Sequence, residues 1–153
     1  TQEDLALRNS KGWISTSYTA CPDAMPNVGS NNEPIEATYL PLYCLANGFN
    51  GFLRWAWMNW TENPMYDSRF KLFTPGDTYI VYPGMHSSRR FEHIIRGVQN
   101  VAKIETLRKE YKQQMNLKAL QQLEETLSLF MNPTPNEAEI KGNIEKMEYL
   151  LNR

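Results

Sequence analysis

Three indoles, Trp55, Trp57 and Trp60, fall within one six-residue stretch, and Asn59 stands among them. A sugar ring has an apolar face of C–H groups and a rim of hydroxyls. A flat aromatic wall beside hydrogen-bonding groups is the surface that suits both. Tyr18 and Tyr82 carry hydroxyls at the ends of other apolar segments. The candidate binding set is therefore Tyr18, Trp55, Trp57, Asn59, Trp60 and Tyr82. Each aromatic residue, taken singly, is also explained by a place in the core. Clustering with Asn59 at the end of one apolar segment is what sets binding beside packing.

Other chemistry is thinner. Arg54, inside an apolar segment, reads as a paired structural charge rather than a substrate clamp. Asp77, after Gly76, is either a turn residue or a wall of the cleft, and Asp67 is a weaker candidate in a polar excursion. His86 and His93 have no acidic or cysteine residues at ligand spacing, so neither reads as a metal ligand or base, and His93 is expected on a helix surface. Cys21 and Cys44 match no metal or redox spacing and read as two buried thiols, with a disulfide sterically open. No two carboxylates stand in an evident acid/base relation: Asp23 is isolated, while Glu33 and Glu36 open a helix. Catalytic groups are not expected within the chain.

The elements that must position these residues follow from pattern. Gly12 to Thr19 is β-branched and aromatic and predicts a strand. A loop rich in Asn and Gly leads to Pro34, suited to a first helical turn, and Ile35, Tyr39, Leu42, Tyr43 and Ala46 recur at helical spacing up to Asn47-Gly48. Pro41 should kink that helix or shift its start. Phe49 to Trp57 predicts a second strand, apolar on both faces, as in covered parallel sheets. After the excursion from Thr61 to Thr74, Thr78 to Tyr82 predicts a third. Ser87 or Ser88 can cap a helix whose apolar face is Phe91, Ile94, Ile95, Val98, Val101 and Ala102. From Ile104 to Met131 a helical pattern continues until Asn132-Pro133, and Thr134 with Glu137 forms a possible capping box for a last helix. The tail reads as an antiparallel helical hairpin.

Composition bounds the rest. The 153 residues carry a net charge of −1, which argues against nucleic acid, whose binders carry a basic stripe. No apolar run reaches the roughly 18 residues that membrane insertion requires; the longest, Gly51 to Trp60, is interrupted by Arg54.

The motif Tyr18-Thr19-Ala20-Cys21-Pro22 and, more strongly, Gly51-Phe52-Leu53-Arg54-Trp55-Ala56-Trp57-Met58-Asn59-Trp60 resemble the C-terminal part of glycoside hydrolase family 123. The segment Gly76 to Gly84 is similar to the family's next motif, and Ser88 to Glu92 with Arg96 to Asn100 to the one after it. The resemblance runs from about Gly12 to Leu107. Met58 within the aromatic motif, and Asn100-Val101 in place of an acidic and aromatic pair, depart from the family pattern.

The resemblance implies a (β/α)₈ barrel that hydrolyses terminal β-linked N-acetylgalactosamine with retention. The mechanism would be substrate-assisted, with no metal or organic cofactor. It also implies that the catalytic Asp-Glu pair lies upstream of Thr1, and that the parent is secreted or periplasmic. Tyr18, Trp55, Trp57, Asn59 and Trp60 would then be walls and hydrogen-bonders of the sugar site, with Tyr18 placed to reach the acetamido group.

The resulting expectation is an α/β chain. Residues 1–111 would be the C-terminal portion of a TIM-type barrel and residues 112–153 a helical hairpin. Such a barrel takes about 250 residues. This piece should therefore be inactive alone, and its open sheet edges should pair with the missing N-terminal part or with a second copy. The rival from another class is a non-catalytic carbohydrate-binding or scaffold module; an Asp-Glu pair at a strand end upstream would favour the enzyme over it.

Overall fold

The computed structural model describes residues 1–20 and 26–152. Five helices and a two-stranded parallel sheet make up the regular structure of these residues: α1 Gln2–Ser10, β1 Thr16–Tyr18, α2 Pro34–Ala46, β2 Gly51–Leu53, α3 Arg89–Gln113, α4 Leu117–Ser128 and α5 Glu137–Leu151. β1 and β2 pair in register, Thr16 against Gly51 and Tyr18 against Leu53, with α2 as the connection between them.

Both strands are shorter than their patterns suggest. α1, which sequence reading missed, ends just before the first, and pairing begins only at Thr16. Its cap at Lys11 and the positive φ of Gly12 turn the chain, and the Arg8 guanidinium donates to the Ile14 carbonyl at 2.9 Å and to Ser15 Oγ at 2.8 Å. The predicted third strand, Thr78 to Tyr82, does not extend the parallel sheet. Instead it folds back antiparallel along residues 57–59: Asn59 N–H donates to the Thr78 carbonyl at 3.0 Å and Ile80 N–H to the Trp57 carbonyl at 3.0 Å. The excursion before it reverses the chain, so the nearest available backbone partner is its own antecedent rather than a neighbouring parallel strand.

α2 begins at Pro34 as expected and runs unbroken through Pro41 to a cap at Asn47, with Gly48 at φ 78°. It packs most extensively on α3, which Ser88 caps by accepting from Phe91 N–H at 3.1 Å. Gly97 makes the close approach possible. A Cβ there would meet the Thr38 carbonyl oxygen at 2.6 Å and the Pro41 ring at 2.9 Å. His93, expected on a helix surface, is instead half-buried in this interface, its Nδ1 2.9 Å from the Thr38 hydroxyl. Burial is the main cause that lowers its pKa.

The tail differs from its pattern in two places. α3 continues through residues 102–104 as one 25-residue helix, and the break comes at 114–116, where Met115 takes φ 55°. α5 starts on a capping box made by Asn136 and Glu139, not Thr134 and Glu137. Asn136 wins because its side chain accepts from Glu139 N–H at 3.0 Å while Glu139 accepts from Asn136 N–H at 2.8 Å.

The larger core joins Tyr39 and Leu42 of α2, Ile104 of α3, Leu123 and Leu127 of α4, and Ile140, Ile144 and Met147 of α5, with Phe130 between the last two helices. A smaller core of Val28, Ala37, Leu40, Ile80 and Ile94, flanked by Phe52, Trp57 and Phe91, lies under the strand ends. Residue 111 falls inside α3, and the tail shares the larger core with α2. Cys44 is a buried free thiol; Cys21 lies outside the described residues.

Candidate functional site

The predicted residues spread from the ends of β1 and β2 to the antiparallel return of residues 78–82. Tyr18 closes β1 and is 47% exposed, while Trp55 and Trp60, beyond the end of β2, are 42% and 39% exposed. Asn59 is exposed and Tyr82 half-buried, its ring edge-on to Tyr79 at 5.2 Å between centroids. Trp57 points the other way. It packs against the smaller core, edge-on to Phe91 at 6.1 Å. In an extended strand residues two apart share a face, so Trp55 and Trp57 could face opposite ways only if the strand ended before them. It does end, at Leu53.

One buried ion pair organises this region. Arg54 and Asp77 bind each other with side chains 0% and 2% exposed. The Arg54 guanidinium also donates to the Thr19 carbonyl at 3.1 Å, the Asn27 side-chain oxygen at 3.4 Å and the Asp77 carbonyl at 3.1 Å. The second Asp77 oxygen accepts the Trp55 indole N–H at 2.9 Å. Trp60 is fixed similarly, its N–H donating to the Val81 carbonyl at 2.8 Å. Asp77 is therefore neither a plain turn residue nor an open wall of the cleft. Arg54 is the paired structural charge its apolar surroundings suggested.

The loop after β1 is held from α2. Glu36, 3% exposed, accepts from Asn27 N–H at 3.0 Å, Asn32 Nδ2 at 2.9 Å and Glu33 N–H at 2.9 Å. Burial raises its pKa against the pull of these donors. Arg90, also buried, clamps the same region by donating to the carbonyls of Val28 and Gly76, each at 2.7 Å. Desolvation lowers its pKa. Asp67 lies on the surface, where Arg69 holds its carboxyl down to about 2. These carboxylates are occupied as hydrogen-bond acceptors, and no three His, Cys, Asp or Glu side chains converge as metal ligands among the described residues.

Two aromatic residues that sequence reading missed complete the surface. Phe73 lies 5.1 Å from Trp55 and 6.2 Å from Phe70, with the Lys71 ammonium 5.3 Å from the Phe70 ring. Their spacing within a polar excursion was the available signal. Two nearby concavities border the site. An apolar groove of about 500 Å³ is lined by Phe52, Trp57, Ile94, Val98 and Val101, and a polar cleft of about 420 Å³ by Asn31, Asn32, Glu33, Tyr82 and Arg89.

A parallel strand pair linked by a helix is the connecting unit of α/β proteins. The family model of the glycoside hydrolase 123 catalytic domain matches residues 1–107, and the chain belongs to that family. Among solved structures, a family 123 glycoside hydrolase from Clostridium perfringens, described for glycolipid glycan hydrolysis, has a similar fold. The TM-score is 0.77 at 24% identity, covering 99% of this chain and 28% of that one. The chain thus spans little more than a quarter of that relative. A search of curated proteins found no match.

Proposed function

We propose that this chain is the sugar-facing C-terminal part of a (β/α)₈ glycosidase that removes terminal β-linked N-acetylgalactosamine from glycans. The reaction is substrate-assisted and retaining: the acetamido oxygen of the substrate attacks its own anomeric carbon while a carboxylic acid protonates the leaving oxygen, and water then opens the cyclic intermediate. Such chemistry needs one carboxylate to polarise the acetamido group and one acid. In this reading both are an Asp-Glu pair upstream of Thr1. Tyr18, Trp55, Asn59, Trp60 and Tyr82 are the walls and hydrogen-bonders of the sugar, and Trp57 supports them from the core side.

The observation that carries the reading is the exposure of Tyr18 at the end of β1 and of Trp55 and Trp60 after β2, where the two indole N–H groups are already bonded to protein acceptors. Bonded in that way, the rings offer faces rather than donors, which is what stacking on a saccharide uses. The engaged carboxylates of the site support placing the acid elsewhere. Membership of a glycoside hydrolase family and coverage of 28% of the relative support a larger catalytic unit. No helix among the described residues is long and apolar enough to cross a membrane.

The same reading supplies the partner. β2 has an open edge, and the apolar groove beside it contains Val98 at 54% exposure. The remainder of the barrel covers these surfaces, or a second copy does so when the chain is alone.

A chromogenic N-acetyl-β-galactosaminide tests the proposal. The full-length gene product should release the chromophore with retained anomeric configuration, and the 153-residue chain should release none. Turnover by the chain alone overturns the assignment of the acid upstream, and a silent full-length protein overturns the activity.

A further inference from the structure

We propose that Asp77 and Arg54 are positioning residues for the sugar wall, holding the Trp55 indole in one orientation at the strand ends. This rests on the reading of Trp55 as a sugar-stacking residue and adds the device that orients it.

A fully buried ion pair is a poor stability device. Removing two charges from water costs about as much as their attraction returns, and apolar replacements of similar volume are often neutral or better. The Arg54–Asp77 pair therefore needs another account, and its geometry gives one. One carboxylate oxygen of Asp77 takes Arg54; the other takes the Trp55 N–H at 2.9 Å. Arg54 is itself immobilised by the Thr19 carbonyl, the Asn27 side chain and the Asp77 carbonyl. The carboxylate thus has no freedom to follow the indole. Phe73, 5.1 Å away, limits the ring from its side.

Trp55 is nonetheless 42% exposed, and a half-exposed indole without these contacts would sample several rotamers. Through the Thr19 carbonyl, the same guanidinium also fixes the end of β1 that carries Tyr18. One buried pair sets two walls of one surface relative to each other. Wall groups fixed in advance lose less freedom when a ligand docks, which raises affinity without adding a contact.

The test uses the full-length protein with three variants. Trp55→Ala removes the wall. Trp55→Phe keeps an aromatic face and removes the N–H. The double variant Arg54→Met/Asp77→Leu removes both charges at once, leaving no unpaired buried ion, and releases the indole. Kinetics on the chromogenic galactosaminide are read together with the Kd for free N-acetylgalactosamine by NMR. Solvent exchange of the Trp55 indole proton is read in ¹⁵N-labelled protein.

Trp55→Phe and the double variant should raise KM and Kd roughly fivefold, with kcat nearly unchanged. The double variant should also lose protection of the indole proton while keeping the native far-ultraviolet circular dichroism. If Trp55→Ala leaves Kd unchanged, Trp55 does not touch sugar and the underlying reading falls. If Trp55→Ala weakens binding but neither other variant does, the stacking role stands and the positioning role is overturned.

Discussion

Gly97 and Gly142 make a paired prediction, because the same substitution should have opposite signs at two helical positions. In a helix interior, glycine to alanine gains about 1 kcal/mol from backbone entropy where the new methyl meets nothing. Gly142, within α5, has no heavy atom within 4 Å of its prospective Cβ. Gly97, within α3, would place its Cβ 2.6 Å from the Thr38 carbonyl oxygen, 2.9 Å from Pro41 Cγ and 3.0 Å from Pro41 Cδ. The first separation is short of ordinary contact by roughly 0.8 Å. Neither obstacle can turn aside: one is helical backbone and the other a closed ring. The helices must therefore part along their main contact, which lies over Leu40 and Ile94 of the smaller core. Overpacking of this kind costs about 1–3 kcal/mol. Set against the propensity gain, Gly97→Ala should lose up to about 2 kcal/mol, while Gly142→Ala gains about 1 kcal/mol. Urea unfolding of the 153-residue chain, followed by circular dichroism at 222 nm, should rank the midpoints Gly142→Ala, wild type, Gly97→Ala with unchanged slopes. A Gly97→Ala midpoint at or above wild type would refute the claim that glycine permits this helix contact.

Burial pushes the Cys44 thiol up to about 11, and only the thiolate alkylates readily. Iodoacetamide at pH 8 should leave the Cys44 peptide unmodified in the native chain and label it in urea, as read by mass spectrometry. Rapid native labelling would contradict its burial on α2. Glu124 accepts two hydrogen bonds from Arg108, at 2.6 Å and 2.7 Å, and this pairing lowers its pKa below 4.5. Its folded value lies under the unfolded one, so the stabilisation is present above about pH 4.5 and is lost as pH falls through the folded value. Urea midpoints measured from pH 7 to pH 3 should fall more steeply for wild type than for Glu124→Gln, and parallel curves would remove the linkage.

What the sequence disclosed depended on how local each signal was. Helix starts and stops were readable where one residue determines them, as at Pro34 and Asn47-Gly48, while the start of α3 was narrowed to Ser87 or Ser88. Two rival caps three residues from their acidic partners, Thr134 and Asn136, were not separable by pattern, since both satisfy the same spacing. The joint between α3 and α4 was hidden because apolar residues keep helical spacing across Met115, although the backbone there turns left-handed. Thr78 to Tyr82 has the composition of a strand, but composition does not say which backbone it faces. At the candidate site, the aromatic residues could be picked out by type. Their facing could not: Trp57 entered the core and Trp55 did not, because β2 ends at Leu53. The link from Trp55 to Asp77 spans 22 positions and has no signature in sequence.

α3 has a consequence for how the molecule carries load. Its 25 residues form a rod about 37 Å long. The match to the family model stops at residue 107, partway along this rod and close to Ile104, whose side chain is buried in the core that α3 shares with α2, α4 and α5. Cutting the protein where that match ends would snap a continuous girder and lay bare one of its most enclosed side chains. For the same reason α5, which shares the larger core with α3 and α2, is braced against the helix whose N-terminal Glu36 holds Asn27 and Asn32.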